Sequence, residues 1–289
     1  MRPVGTAASL RSAFGGLCRR RADIPLLRSC LVRAPEKAIP APPFPRDLPW
    51  VNVDPLRMDK QIGRPVLVEF WDFCRINSLR TLPYVKAWHE RYAGDGLRVI
   101  GVHTGGFEPS RDEQAVREAV ARLGIEHPVI IDSNLEIWEF YGNRGWPARY
   151  LWDQRGALYS LHYGEGAYQE TEREIQALLG IDKPLLAPMR PEDAPGVLLP
   201  PQTEDQPGAY SGPYEAGAVW AVLDGHGEIR VNRESIPVDG PGCRLLIEHR
   251  EHTAGTLELE VGDGVICLQT CFTPGLAPAA HAPYPPAAA

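Results

Sequence analysis

The sequence predicts an α/β domain followed by a smaller all-β module, and three observations carry that prediction. Between residues 46 and 183, short valine-rich apolar runs alternate with segments whose apolar residues recur every three to four positions. A Pro-rich stretch across 184–212, containing "KPLLAPMRPEDAPG" and "LLPPQTEDQPG", then interrupts all periodicity and reads as an interdomain linker. From 213 to 276 the pattern becomes short alternating segments parted by Gly and Asp, with no helical spacing.

The elements follow in chain order. Residues 1–45 read as a disordered, basic, Pro-rich extension. Residues 1–40 hold eight basic side chains against two acidic ones, and "PEKAIPAPPFPRDLP" admits neither a helix nor a central strand. The Arg-, Ala- and Ser-rich character of this extension also fits a transit-type targeting leader. Pro65–Phe70, "PVLVEF", suits a strand buried on both faces. Ser78–Ala93 sets Leu79, Leu82, Val85, Trp88 and Tyr92 at helical spacing, with a kink expected at Pro83. Leu97–Thr104 is a second buried strand, and Glu113–Leu123 an amphipathic helix closed by Gly124. "HPVIID" gives a third strand and Asn134–Tyr141 a short helix. "RYLWD" and "ALYSLHY", parted by Gln154–Gly156, form a hairpin, and Tyr168–Leu179 is a helix ending at Gly180. A mixed sheet of four or five strands, covered on both sides, is expected. The module over 213–276 reads as a small sandwich or jelly roll, and 277–289, "APAAHAPYPPAAA", as a disordered tail.

Composition narrows the function classes. Of 289 residues, 44% are hydrophobic and 23% charged, which is a globular balance. No window approaches the ~18 consecutive apolar residues of a membrane span. A net charge of −7, without a basic face interleaved with aromatics, argues against a nucleic-acid partner. Cys18, Cys30, Cys74, Cys243, Cys267 and Cys271 include neither a Cys-x-x-Cys nor a zinc spacing, so a reducing, cytoplasmic setting is expected. His249 and His252, with Cys267 and Cys271 downstream, invite a metal site. On one extended strand, however, those two cysteines would stand ~13 Å apart, too far for one zinc unless a bulge intervenes. No metal and no cofactor are expected. Asp112, Glu113, Glu170, Glu172 and Glu174 read as solvated helix faces. "HTGG" at His103–Gly106 lacks the spacing of a phosphate loop.

Two stretches carry a family resemblance: "PVLVEFWDFCRINSLRTLPYVKAWHERY" and "GWPARYLWDQRGALYSLHYGEGAYQETEREIQALLG". They resemble the thioredoxin-like domain of TlpA/DipZ-type redoxins, whose corner reads F-W-T-Y-S-C-I-N-C-L-R-T-L-P-Y. The match runs from about Trp50 to Ile181, and Ile76, Asn77, Leu79–Tyr84, Trp146–Pro147 and Gly164–Gly166 stand where the family places them. The resemblance implies a thioredoxin-like fold, a cis bond at Trp146–Pro147, and a loop there that faces the reactive corner and pairs with an extended substrate. It also places Glu69 near the buried acid that relays protons in such domains. The C-terminal module is similar to the β module of DipZ-type proteins in architecture only.

The family's two cysteines fall on Arg75 and Ser78. Two thiols at that spacing work because the first, at a helix N-terminus, is held as a thiolate, while the second resolves the mixed disulfide. A guanidinium is no nucleophile and a hydroxyl forms no disulfide, so the local dithiol cycle is absent. Cys74 remains, one residue before the lost position. A peroxidase of this fold carries Thr three residues before its cysteine, and here that residue is Trp71. Two readings stay open on the sequence. In one, Cys74 acts as a monothiol or peroxide-responsive nucleophile, with Glu69 as proton relay, on protein or peptide thiols, its redox partner supplied in trans. In the other, the protein is a redox-inactive binding or scaffold protein that uses Arg75, Asn77, Ser78, Trp146 and Pro147 together with the β module. Exposure of Cys74 separates them, and oligomeric state is not encoded in any pattern found.

Overall fold

The computed structural model describes residues 30–33 and 38–278. The chain divides into two compact units at Met189/Arg190. The first holds a seven-stranded mixed sheet. Its strands are β1 (Cys30–Arg33), β2 (Trp50–Val51), β3 (Val66–Trp71), β4 (Arg98–His103), β5 (Val129–Ile131), β6 (Ala148–Trp152) and β7 (Leu158–Tyr163), in the order β1-β7-β6-β3-β4-β5-β2. β4 pairs in parallel with β3 and β5, and the remaining pairings are antiparallel. Among the described residues four α-helices accompany it: α1 (Ile76–Tyr92), α2 (Glu113–Arg122), α3 (Glu136–Tyr141) and α4 (Tyr168–Leu179). This is the thioredoxin-like arrangement the sequence led us to expect, with Val66–Phe70 central and the helix after it running through Pro83.

Strand alternation explains why β3 is buried along its whole length. Val66, Val68 and Phe70 pack with Ile100, Tyr150 and Trp152 beneath α3. Leu67 faces the other way, onto Tyr84, Val85 and Trp88 of α1 and Ile175 of α4. A strand covered on both faces reads as a continuous apolar run. Glu69 interrupts that run on the α1 side.

The sheet has more strands than the four or five expected because β1 and β2, of four and two residues, are too short to show a period. The disordered extension also needs correction where it is described. β1 pairs with β7, and Ile39 and Phe44 are buried in the core. The remainder of that expectation, and residues 279–289 of the tail, lie outside the described residues.

The 184–212 linker is shorter than its prolines suggested. Lys183 N–H donates to Gln176 Oε1, Leu186 N–H to Glu172 Oε2 and Met189 N–H to Tyr84 Oη, at 2.9, 2.8 and 2.7 Å. Side chains of α1 and α4 thus supply the partners that an irregular backbone otherwise lacks. This corrects a second expectation: Glu172 and Glu174 are buried rather than solvated, Glu172 accepting from Tyr92 Oη and Glu174 from Ser160 Oγ. Farther on, Thr203 pairs with Glu215, and β8 (Gln206–Pro207) pairs with a later strand, so this part belongs with the second unit.

That second unit is all-β, as expected. β9 (Gly212–Val231) pairs along its first part with β11 (Gly242–Leu257) and β13 (Val265–Thr273). Its last part pairs with β10 (Glu234–Asp239) and β12 (Leu259–Val261). Gly225 marks the change of partners: its φ is +92°, and a Cβ there would lie 2.1 Å from Gly264 O. Val219, Ala221, Leu223, Leu257 and Phe272 form the core. β13 does carry a bulge between Cys267 and Gln269. Among the described residues, no group of three or more His, Cys, Asp or Glu side chains is placed to hold a metal ion. None of the described helices is long and apolar enough to cross a membrane.

Candidate functional site

The corner is built where β3 gives way to α1. Asp72, fully buried, ties it together. Its Oδ1 accepts from Cys74 N–H and its Oδ2 from Gly106 N–H, both at 2.8 Å, while its own N–H donates to Ser78 Oγ at 3.2 Å. One carboxylate therefore fastens the strand end, the helix start and the loop after β4. Burial raises the Asp72 pKa above the usual carboxylate value, and the bonds from Cys74 and Gly106 oppose that rise. His103 lies alongside, its Nε2 accepting from Phe73 N–H at 3.4 Å and standing 3.9 Å from Asp72 Oδ1. Burial pushes its imidazole down to about 3, so the ring is neutral and its approach to Asp72 is no ion pair near pH 7.

The residues that stand at the thiol positions behave differently from thiols. Cys74 has no solvent exposure. Ser78 is buried too, its oxygen engaged by Asp72 N–H. Asn77 is exposed on the first turn. Arg75 caps α1 in extended geometry (φ −109°, ψ 115°) with no side-chain cap bond. Its guanidinium carbon instead lies over two rings, 4.8 Å from the Phe107 centroid and 4.6 Å from that of Trp146. Trp146 is fixed by its indole N–H, which donates to Thr104 O at 2.8 Å, and by Trp138, whose ring centroid lies 4.2 Å away. Pro147 follows through a cis bond and is buried.

Glu69 sits one layer deeper. Burial pushes its carboxyl up to about 8, partly opposed by Arg149, its register partner on β6. Neither carboxylate oxygen has a hydrogen-bond partner. Arg149 is equally buried. One of its nitrogens bonds to Gly166 O, and its guanidinium lies 5.7 and 5.2 Å from the Trp88 and Tyr168 rings.

Arg75 and Trp146, singled out from the sequence, are thus brought into contact. Cys74, Glu69 and Ser78 are placed in the interior. Asp72, His103, Phe107, Gly106 and Trp138 complete the corner and were not recognised as parts of it. The one available signal was the glycine pair in "HTGG". A Cβ on Gly106 would come within 2.8 Å of Arg75 Nη2.

No family model matches the chain. It is 35% identical over 166 residues to Protein DipZ of Mycobacterium bovis, which covers 56% of this chain and 24% of that protein. It is 26% identical over 141 residues to the thiol-disulfide oxidoreductase YkuV of Bacillus subtilis, covering 48% and 94%. A solved thioredoxin-like protein in the oxidized form aligns with a TM-score of 0.46 at 25% identity, over 50% of this chain and 96% of that one. The chain therefore spans about a quarter of the length of the DipZ protein it matches. The resemblance to TlpA/DipZ-type redoxins stands, and the first unit has a thioredoxin-like fold.

Proposed function

We propose that this thioredoxin-like unit works as a binding module for a protein or peptide segment, without thiol turnover at its corner. The observation that carries the reading is the pairing of a fully buried Cys74 with an Arg75 guanidinium lying over two rings at the position of the family's first cysteine. A thiol attacks as thiolate, and a thiolate needs both access and electropositive surroundings. Cys74 lacks access, and the carboxyl of Asp72 accepts its backbone N–H, which sets an acid beside it as well as Arg75. Ser78 offers no resolving thiol. What remains at the surface is a rigid stack of Trp138, Trp146, Arg75 and Phe107, each half-buried, which suits contact rather than catalysis.

Monothiol chemistry through Cys74 is the second reading, and the similarity to YkuV favours it. Labelling with a thiol reagent separates the two. In the native protein Cys74 should react about a hundredfold or more slowly than in denaturant, since access requires local opening. Insulin reduction by dithiothreitol should not be accelerated. Rapid native labelling of Cys74, lost in Cys74→Ser, would overturn the binding reading.

A further inference from the structure

We infer that the Arg75 stack binds a single carboxylate, carried by the C-terminus or an acidic side chain of a bound peptide. This rests on the binding-module reading above and names the group that the module holds. The guanidinium carbon lies over the Phe107 and Trp146 rings, 4.8 and 4.6 Å from their centroids. A guanidinium placed over rings leaves its in-plane N–H edge to hydrogen-bond acceptors. No hydrogen bond among the described residues uses that edge, but Nε is closed to solvent and lies with Nη2 against Gly106, so a ligand reaches the guanidinium by its terminal nitrogens. The acid below, Asp72, already receives the N–H groups of Cys74 and Gly106.

Two rings also fix the side chain before any ligand arrives. A planar carboxylate then meets a preset fork, with little ordering left to do. The start of α1 adds to the same field. This helix of 17 residues has no acid in its first turn and no side chain bonded at its N-cap, so its leading N–H groups contribute partial positive charge beside Arg75. Asn77, exposed on that turn, adds an amide.

Charge balance chooses among anions. Asp72 Oδ2 and the Arg75 guanidinium both close on Gly106, where a Cβ would lie 3.2 Å from the one and 2.8 Å from Nη2 of the other. A monoanion completes this arrangement, whereas a sulfate or phosphate dianion brings a second negative charge toward Asp72. The ligand class is therefore carboxylate. Half-buried Trp138 and Trp146 beside it offer apolar contact to the residues that carry the carboxylate.

The test uses the ¹⁵N-labelled full chain and follows the Arg75 Nε–Hε resonance during titration. The probes are N-acetyl-Gly-Gly as free acid, the same compound as amide, N-acetyl-Asp-amide, and inorganic sulfate. A saturable shift with either acid probe and none with the Gly-Gly amide is expected. The stronger of the two acid probes identifies a terminal or a side-chain carboxylate. Arg75→Met should weaken binding about tenfold or more, and Arg75→Lys less, while amide resonances away from the corner stay in place. Equal response to acid and amide, tighter binding of sulfate, or unchanged affinity in Arg75→Met would overturn the inference. Thiol labelling of Cys74 in the same sample keeps the two claims apart. Fast labelling with saturable carboxylate binding defeats the binding-only reading and leaves this one standing. Slow labelling without a carboxylate response does the reverse.

Discussion

Asp72 and Glu69 belong to the same strand end and are both closed to solvent, yet the protein treats the two regions around them in opposite ways. At the corner, Asp72 accepts two backbone N–H groups and holds three segments of chain together. One layer below, Glu69 accepts no hydrogen bond and faces Arg149 across the β3–β6 ladder. A buried carboxylate supplied with donors is a structural tie. One without them keeps its proton, because nothing compensates the charged form for lost hydration. Burial raises both carboxyls, and N–H donors oppose that rise at the corner but not in the layer beneath it.

The largest effect that would break this contrast is the loss of the tie. Asp72→Ala leaves the N–H groups of Cys74 and Gly106 buried without acceptors, at about 1–3 kcal/mol for each. We expect a destabilisation of about 2–4 kcal/mol in urea unfolding. Asp72→Asn, which keeps one acceptor, should lose roughly half of that. A loss below about 1 kcal/mol for the alanine variant would mean that solvent reaches these groups and that the corner is not closed.

Next comes the suppressed charge, and here the sign is definite. Glu69 has an ordinary value of 4.5 and is raised to about 8 in the folded protein, so the native state holds a proton that the unfolded chain has released. Its contribution is complete below about 4.5 and disappears as pH rises through about 8. His103, His127 and His162 are pushed down to about 3, and each makes stability rise with pH up to about 6.5, so they obscure the acid range. Asp132, raised to about 6, acts there as well. Above about 6.5 the histidines and Asp132 no longer contribute, and the raised carboxyl of Glu69, together with that of Asp72, sets the slope. Stability should fall there by up to about 1.4 kcal/mol per pH unit from Glu69 alone, and Glu69→Gln should flatten the slope. An unchanged slope in that variant would show that Glu69 is charged near neutrality and paired with Arg149.

The same contrast explains what the sequence made legible. Pro65–Phe70 was readable because burial of both faces makes a continuous apolar run, and Ser78–Ala93 because burial of one face imposes a helical period. Arg75, Ser78 and Glu69 were readable because the family's corner supplies a template. Nothing in the sequence marks Asp72 as the tie of the corner. Its donors come from Gly106 and Cys74 backbone atoms, and no side-chain pattern encodes a backbone partner thirty-four positions away. Phe107 and Trp138 escaped for a related reason: each lies in a loop or a short helix and meets Arg75 or Trp146 only through the tertiary fold. Glu172 looked solvated because its partners, Tyr92 Oη and Leu186 N–H, lie on another helix and in a Pro-rich segment.

Reinstating thiols at the template positions is the third test, with a smaller stability effect. Arg75→Cys with Ser78→Cys removes the acceptor for Asp72 N–H, at about 1–2 kcal/mol, and places one thiol at the start of α1 and the other in the buried layer. The thiol at position 75 should acquire a lowered pKa from the helix N-terminus, and a disulfide should form under mild oxidant. Gain of insulin reductase activity, slowed by adding Glu69→Gln, would show that the deeper layer still serves proton transfer. A folded double variant with inert thiols would show that the two regions have diverged together.

The smallest expected effect is the most informative about Arg75. Its two ring contacts contribute about 0.5–1 kcal/mol each where water still reaches the side chain. Arg75→Met gives up that attraction but keeps an unbranched chain between Phe107 and Trp146, and it removes an N–H that has no acceptor. These changes nearly cancel, so the net change should stay within about 1 kcal/mol, far below that of Asp72→Ala. Trp146→Ala should cost more, because it removes the ring that Trp138 and Arg75 both use. If Arg75→Met proves as damaging as Asp72→Ala, the guanidinium is part of the corner's structural frame. If it is nearly neutral, the stack is not there to hold the fold, and a guanidinium ordered at little benefit to stability is one kept for what it meets at the surface.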